Sequence, residues 1–286
     1  MINSFDFQKE IDFIIANAIR EDIGQGDHSS LACIPNGTFG KAHLIVKDKG
    51  LLSGVEFALK VFKYVDPKLN VKIKINDGSI VKFGDIAFEV IGSQQSILKS
   101  ERLVLNAMQR MSAISTKTSE FVNLLKGTNT KILDTRKTTP GIRALEKWAV
   151  SIGGGINHRF GLYDMIMLKD NHIDFAGGIT QALNQTVQYL KHNNLNLKII
   201  VEARDMDEID EIIKHGGANR ILIDNFGVSE TKKAVDFIAG RCETESSGGI
   251  NEVTLRHYAE CGVDFISSGA LTHSVHNLDL SLKVFK

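Results

Sequence analysis

The stretch Asp134–His172, DTRKTTPGIRALEKWAVSIGGGINHRFGLYDMIMLKDNH, decides how this chain is read. An apolar run, Lys131-Ile132-Leu133, reaches Asp134 and breaks into Thr135-Arg136-Lys137-Thr138-Thr139-Pro140-Gly141. A second run, Met165-Ile166-Met167-Leu168, stops at Lys169-Asp170-Asn171-His172. Between them lie a helix-like segment, three successive glycines (Gly153, Gly154, Gly155) and His158-Arg159. Two strand ends thus present cations, and the loops between are built of glycine and polar residues. This arrangement suits a phosphorylated, carboxylated small molecule.

The same rhythm continues downstream. Lys198–Val201 ends at Glu202, Asn219–Ile223 at Asp224, Cys242–Glu245 at Ser246-Ser247-Gly248-Gly249, and Val263–Ile266 at Ser267-Ser268-Gly269. Helical segments separate most of these runs. Asp205, Ser229 and Asn251 stand where helix N-caps belong, and Gly216, Gly240 and Gly262 stand just past helix ends. Strands alternating with helices predict βα units and a parallel sheet. Six runs with apolar bodies and polar last residues fit a barrel, complete or open. In barrels the chemistry gathers at the carboxyl ends of the strands, where Arg136, Lys137, Lys169, Glu202 and Asp224 are expected to converge.

Upstream, Phe7–Ile19 reads as an amphipathic helix, with Ile11, Ile14, Ile15 and Ala18 at helical spacing. Glu21–Ser29 reads as a polar loop whose acids cap neighbouring backbone. From Lys41 to Gly92 short strands are expected, including Ala42–Val46 and Val71–Ile75, with a turn at Asp77-Gly78. This segment has the rhythm of a biotinyl- or lipoyl-type sandwich but lacks a lysine at a hairpin tip, so it is not read as a carrier. Ser96 is the expected N-cap of a long helix to about Leu125, with Leu98, Val104, Leu105, Met108, Met111 and Ile114 on its apolar face. Arg102 lies within that helix.

The chain has 286 residues, 43% hydrophobic and 24% charged, and 34 basic residues balance 34 acidic ones. A formal charge of zero gives no reason for bulk attraction to nucleic acid or to a membrane surface. No apolar stretch approaches a membrane span, and Met1–Asp6 lacks the pattern of a signal peptide. Three cysteines, Cys33, Cys242 and Cys261, lack metal-ligand spacing and favour a reducing cytoplasm.

Each polar cluster has its own chemistry. Arginine offers a planar fork for carboxylate or phosphate and lysine a mobile point charge, so Arg136 and Lys137 are expected to grip different parts of a ligand, beside the hydroxyl of Thr135. Lys169, if it points inward, needs an anionic partner: a ligand, or Asp134, Glu202 or Asp224. Glu202 and Asp224 either neutralise those cations or bind ribose hydroxyls or Mg²⁺, since magnesium takes carboxylates together with phosphate oxygens. Small residues in the last two loops, Ser247-Gly248-Gly249 and Ser268-Gly269-Ala270 with His273 following, let backbone N–H groups meet a phosphate.

Taken together, the motifs DTRKTTPGIR, GGGINHRFGL, MLKDNH, SSGGI and SSGALTH resemble the quinolinate phosphoribosyltransferase family, and the likeness spans nearly the whole chain. The resemblance implies an N-terminal α/β sandwich (residues 1–113) and an incomplete α/β barrel (114–273), with residues 274–286 packing back on the sandwich. It implies transfer of phosphoribose from phosphoribosyl pyrophosphate to quinolinate with loss of CO2, and a requirement for Mg²⁺. It also implies a homodimer in which Arg102 reaches the neighbouring copy's site. By the same carry-over Arg136, His158, Arg159 and Lys169 hold the quinolinate carboxylates and a neighbouring phosphate, and Lys137 meets the phosphoribosyl donor. Glu202 and Asp224 then serve its ribose and metal, directly or through water, and Ser247–Gly249 and Ser268–Ala270 serve its 5′-phosphate. One departure stands out: the family often flanks the residue matching Glu202 with acids, whereas this chain has Ile200 and Arg204 at those positions. A related transferase with another acceptor and a non-catalytic anion-binding protein are the competing readings.

Overall fold

A computed structural model describes residues 6–285; Met1–Phe5, part of the segment tested for a signal peptide, and Lys286 lie outside the described residues. The first elements are α1 (Phe7–Ile23), α2 (His28–Cys33), β1 (Phe39–Val46), β2 (Gly50–Leu51), α3 (Val55–Val65), β3 (Asn70–Ile73), β4 (Ile80–Val81), β5 (Ile86–Ser93) and α4 (Gln94–Leu124). There follow β6 (Lys131–Leu133), α5 (Arg143–Ile152), β7 (Ile166–Leu168), α6 (Asp170–Ala176), α7 (Ile179–His192), β8 (Ile199–Ala203) and α8 (Met206–His215). The chain continues through β9 (Arg220–Asp224), α9 (Val228–Ile238), β10 (Glu243–Ser247), α10 (Leu255–Glu260), β11 (Phe265–Ser267), α11 (Ala270–His273) and β12 (Leu280–Val284). Two compact units result: one joins the chain up to Ser119 with Thr138–Gly154 and everything from Leu271 on, and the other holds Glu120–Lys137 and Gly155–Ala270.

In the first unit an antiparallel sheet runs in the order β12-β1-β5-β3, with β2 and β4 paired separately. The last strand of the chain lies along β1, Ala42 opposite Val284 and Val46 opposite Leu280. Along β1 the inward residues Ala42, Leu44 and Val46 alternate with more exposed ones, the period-two signature of a half-buried strand. Three local expectations fail here. The polar stretch 21–29 is mostly helix, with α1 running on to Ile23, although the expected acid cap is present: Asp27 caps α2 by accepting the Ser30 N–H at 3.1 Å. Residues 55–65 form α3 instead of strand. Val55, Ala58, Val61 and Phe62 bury one helical stripe, and Asp77, distant in sequence, accepts the Val55 N–H (2.8 Å) and the Glu56 N–H (3.1 Å). The long helix begins at Gln94, so Ser96 lies inside it and Ser93 Oγ accepts the Ser96 N–H at 3.3 Å. On its apolar face Ile97 is buried and Leu98 is exposed.

In the second unit six parallel strands follow the order β6-β11-β10-β9-β8-β7. This is the cyclic order of a barrel: from β7 onward each strand lies beside its successor, and the first, β6, pairs with the last, β11. The pair that would close the ring, β6 with β7, is absent from the sheet, so the barrel is incomplete, as expected. The free edge of β6 carries a single parallel bridge, Leu133 to Ile156. Ile199, Val201, Ala203, Ile221 and Ile223 pack with Ile209, Ile212, Ala234 and Ile238 of the outer helices in one apolar core. Asp205 caps α8, but α9 starts after Gly227, so Ser229 is inside the helix; Glu230 accepts the Gly227 N–H at 3.0 Å. Asn251 accepts the N–H groups of Val253 and Thr254 in the turn before α10, whose N-cap is Thr254.

Candidate active site

Strand register brings the chemistry to one rim of the second unit. Leu168 is level with Val201, so Lys169 follows at the height of Glu202. Asp224 is level with Ser247, and Ser267 with Leu133. Lys169 Nζ lies 3.5 Å from Glu202 Oε2, and the Asp170 N–H points at Glu202 Oε1 at 3.4 Å. Burial pushes the Glu202 carboxyl above the usual range; Lys169 opposes this, while Asp224 and Asp170 add to it. Asp224 is likewise raised by burial and by Asp170, against the pull of Lys169, of the Asn225 amide and of Lys137. Asn225 Nδ2 donates to Asp224 Oδ2 at 2.6 Å. Lys137, Lys169, Glu202 and Asp224 therefore share one electrostatic environment.

The flanking departure has a local explanation. Ile200 is buried in the core. Arg204 donates to Glu208 at 2.6 and 2.8 Å and to Asp174 at 3.2 Å, so two acids of the outer helices take its charge.

A second cluster sits at the seam between β6 and β7. Asp134 is fully buried and its Oδ1 accepts the His158 N–H at 2.8 Å. The Arg159 N–H donates to His158 Nδ1 at 2.6 Å. Arg159 is buried and its guanidinium donates to the Met165 carbonyl at 3.2 Å. Its pKa is lowered, first by burial and then by the charge of Arg136, with Asp164 acting the other way. Asp164 is itself engaged, accepting the Phe160 and Gly161 N–H groups at 2.6 and 2.9 Å. Arg136 and Lys137 are exposed, and Thr135 Oγ1 accepts the Lys137 N–H at 3.0 Å.

The last two strands end in small residues. Gly248 and Gly249 adopt φ of 104° and 61°, and the Asn225 N–H donates to the Ser247 carbonyl at 2.9 Å. Ser268 is buried and its N–H donates to the Leu133 carbonyl at 3.0 Å; Gly269 and Ala270 follow at the start of α11. Arg102 on α4 and His273 on α11 are exposed residues of the first unit. Gly153, the first of the three successive glycines, packs closely on α4: a Cβ there would meet the Ser115 carbonyl oxygen at 2.6 Å.

Sequence reasoning missed Glu245, Arg220 and Asn225. Glu245 is fully buried; its Oε2 lies 3.4 Å from His158 Nε2 and 2.9 Å from Arg220 Nη1. Alternation in β10 could have hinted at an inward Glu245, but the polar run ETESS offers no apolar contrast to read.

Among the described residues no group of three or more His, Cys, Asp or Glu is placed to hold a metal, and no helix is long and apolar enough to cross a membrane.

Comparison with known proteins bears on the family. The quinolinate phosphoribosyl transferase N-terminal domain family matches residues 27–112, and the C-terminal domain family matches residues 114–283. A quinolinate phosphoribosyltransferase [decarboxylating] 1b of Nicotiana tabacum is 44% identical over 95% of this chain and 81% of its own length. A nicotinate-nucleotide pyrophosphorylase [carboxylating] of Oryza sativa, described as chloroplastic, is 44% identical over 95% of this chain and 76% of its own. The solved nicotinate-nucleotide pyrophosphorylase of Francisella tularensis superposes with a TM-score of 0.90 at 34% identity, covering 100% of this chain and 99% of that one. An acceptor other than quinolinate is not favoured by these matches. Two family domains in order, relatives alike over most of their length and a superposable fold show that the chain belongs to the decarboxylating quinolinate phosphoribosyltransferases, enzymes of pyridine nucleotide biosynthesis.

Proposed function

We propose that the rim formed by Arg136, Lys137, His158, Arg159, Lys169, Glu202 and Asp224 is where quinolinate meets phosphoribosyl pyrophosphate. One observation carries the proposal: the buried Arg159 guanidinium is disfavoured both by burial and by neighbouring Arg136. An anion held between the two arginines reverses both effects, and quinolinate brings two adjacent carboxylates. Arg136, His158, Arg159 and Lys169 form the carboxylate clamp, whose task is to hold the ring nitrogen in line with C1 of the ribose. Lys137 and Thr135 meet the donor, and the loops Ser247–Gly249 and Ser268–Ala270 take its 5′-phosphate through backbone N–H groups.

The carboxylates on the facing strands serve the transition state. As the bond from C1 to pyrophosphate breaks, positive character builds on the ribose, and Glu202 and Asp224 stabilise it. The ring nitrogen forms the new bond to C1. The alkylated nitrogen then draws in the electron pair released as the adjacent carboxylate leaves as CO2, and a proton replaces it. No protein nucleophile is required.

Mg²⁺ fits as part of the donor: two rim carboxylates without a third ligand suit an ion that keeps water and phosphate oxygens as its other partners. Held there, such an ion would supply positive charge beside the departing pyrophosphate and would offset the burial, and the neighbouring acids, that raise Glu202 and Asp224.

We read the working unit as a homodimer with Arg102 reaching the partner copy's site, and the free cysteines as fitting a cytoplasmic setting.

The chain incubated with quinolinate, phosphoribosyl pyrophosphate and Mg²⁺ is expected to yield nicotinate mononucleotide and CO2 in equal amounts. Lys137→Ala and Arg102→Ala each abolish most turnover, and near-normal rates in both refute the assignments. Mixing the two inactive variants restores up to about a quarter of the activity if each site draws on two copies, because a mixed dimer has one intact site. No recovery on mixing removes the shared site.

A further inference from the structure

A buried carboxylate below the rim has no role in the scheme so far. Glu245, on β10, is fully buried, and its Oε1 has no hydrogen-bond partner in the structure. Its other oxygen, Oε2, receives Arg220 Nη1 at 2.9 Å and faces His158 Nε2 at 3.4 Å. Arg220 is itself buried, stacks on the Phe265 ring at 3.9 Å and reaches Glu243 at 3.0 Å. A buried ion pair contributes little net stability over an apolar replacement, so its presence here calls for another reason.

The reason lies in what His158 does with its two nitrogens. Nδ1 accepts the Arg159 N–H at 2.6 Å, so the ring proton sits on Nε2, the nitrogen that faces Glu245. The backbone N–H of His158 is fixed from the other side by buried Asp134 at 2.8 Å. Asp134 thus holds the main chain of one histidine by a hydrogen bond, Glu245 faces its ring at ion-pair distance, and that ring accepts from the main chain of Arg159. We propose that Glu245, kept in place by Arg220, is a positioning residue: through the His158 imidazole it fixes the Arg159 main chain and so aims the guanidinium at the acceptor carboxylate. The direction of the Glu245 titration agrees, since burial alone raises a carboxyl, yet His158, Arg220 and Ser267 together hold this one below the usual range. The kinetic half of the inference rests on the clamp assigned above; the tautomer half does not.

Glu245→Gln keeps the shape and removes the charge. The expected result is a KM for quinolinate raised about tenfold, with the KM for phosphoribosyl pyrophosphate within about twofold of wild type; tenfold corresponds to about 1.4 kcal/mol of lost clamp binding. Loss of one of the two carboxylates that Arg220 pairs with lowers stability on its own account. The double variant Glu245→Gln/Arg220→Met therefore separates the effects: melting temperature recovers and the quinolinate KM stays raised. Nitrogen-15 NMR of the His158 ring reads the tautomer directly, with Nε2–H dominant in wild type and a mixture of tautomers in Glu245→Gln. An unchanged ring spectrum overturns the proposal, as do both KM values rising together or a quinolinate KM that recovers with stability. If wild type transfers no phosphoribose to quinolinate, the clamp reading fails while the tautomer result still stands or falls separately.

Discussion

Replacing Gly248 by alanine tests the geometry of the phosphate loop against a control one residue away. A Cβ at Gly248 would lie 2.1 Å from Asn225 Oδ1, 2.7 Å from its Cγ and 2.8 Å from its backbone nitrogen, at a φ of +104°. The side-chain overlap could be relieved by moving Asn225, but the contact with the backbone nitrogen cannot, because that nitrogen donates to Ser247 at 2.9 Å. Backbone strain of this kind costs about 1–3 kcal/mol. Overpacking adds about 1–3 kcal/mol. At Gly249, φ is +61° and no atom lies within 4 Å of the added carbon. Gly249→Ala therefore bears the left-handed penalty alone, about 1–2 kcal/mol. The gap between the variants, about 2–3 kcal/mol, corresponds to roughly 4–12 °C in melting temperature for domains near this size. Asn225 also donates to Asp224 at 2.6 Å, so its displacement releases a carboxylate assigned to the ribose. Gly248→Ala should accordingly raise the KM for phosphoribosyl pyrophosphate well beyond Gly249→Ala. Thermal melts and donor titrations of the two proteins decide it. Equal melting temperatures with equal donor KM would refute the reasoning.

Three further outcomes follow from the same contacts. Glu202 has a raised folded pKa, so the contribution of its titration is most favourable below the ordinary glutamate range and is lost as pH rises through the folded value; urea midpoints should show Glu202→Gln gaining on wild type from acid to neutral pH while transfer is lost. Glu146 is fully buried and accepts Arg110 at 3.0 and 2.9 Å and the Thr139 N–H and Oγ1 at 3.1 and 2.9 Å; Glu146→Ala strands a half-buried arginine and should cost about 3–5 kcal/mol in denaturant unfolding. Lys169→Met removes the cation 3.5 Å from Glu202, so the acid limb of the pH–rate profile should move to higher pH, and an unmoved limb would separate Lys169 from that carboxylate.

The barrel was legible because β6 to β9 and β11 have apolar bodies that stop at polar residues, and the helices between them carry their own end signals. What escaped the sequence depended on partners far along the chain. The start of α3 is satisfied by Asp77, which no local rule would assign to Val55. The strand β10 reads ETESS, yet its Thr244, Glu245 and Ser246 are buried. They are tolerated because Asp264 accepts the Thr244 N–H and hydroxyl at 2.8 and 2.9 Å while Arg220 meets Glu245. The candidate site was legible only as a set of charges at strand ends. Its inner support was not, because a buried Glu–Arg–His chain has no sequence period.

The cyclic strand order also explains how the charges are sorted. Around the rim the loops follow in the order β6, β11, β10, β9, β8, β7: Arg136 and Lys137, then the two small-residue loops, then Asp224, Glu202 and Lys169. In the proposed placement, with the 5′-phosphate on the β10 and β11 loops and the ribose over β8 and β9, C1 faces the unpaired seam between β6 and β7. That seam is where Arg159 is held, because a seventh strand there would occupy the edge that Ile156 and His158 use to reach Leu133 and Asp134. The missing β6–β7 pairing therefore leaves a seam in which Arg159 feels the charge of Arg136, with Asp164 acting the other way.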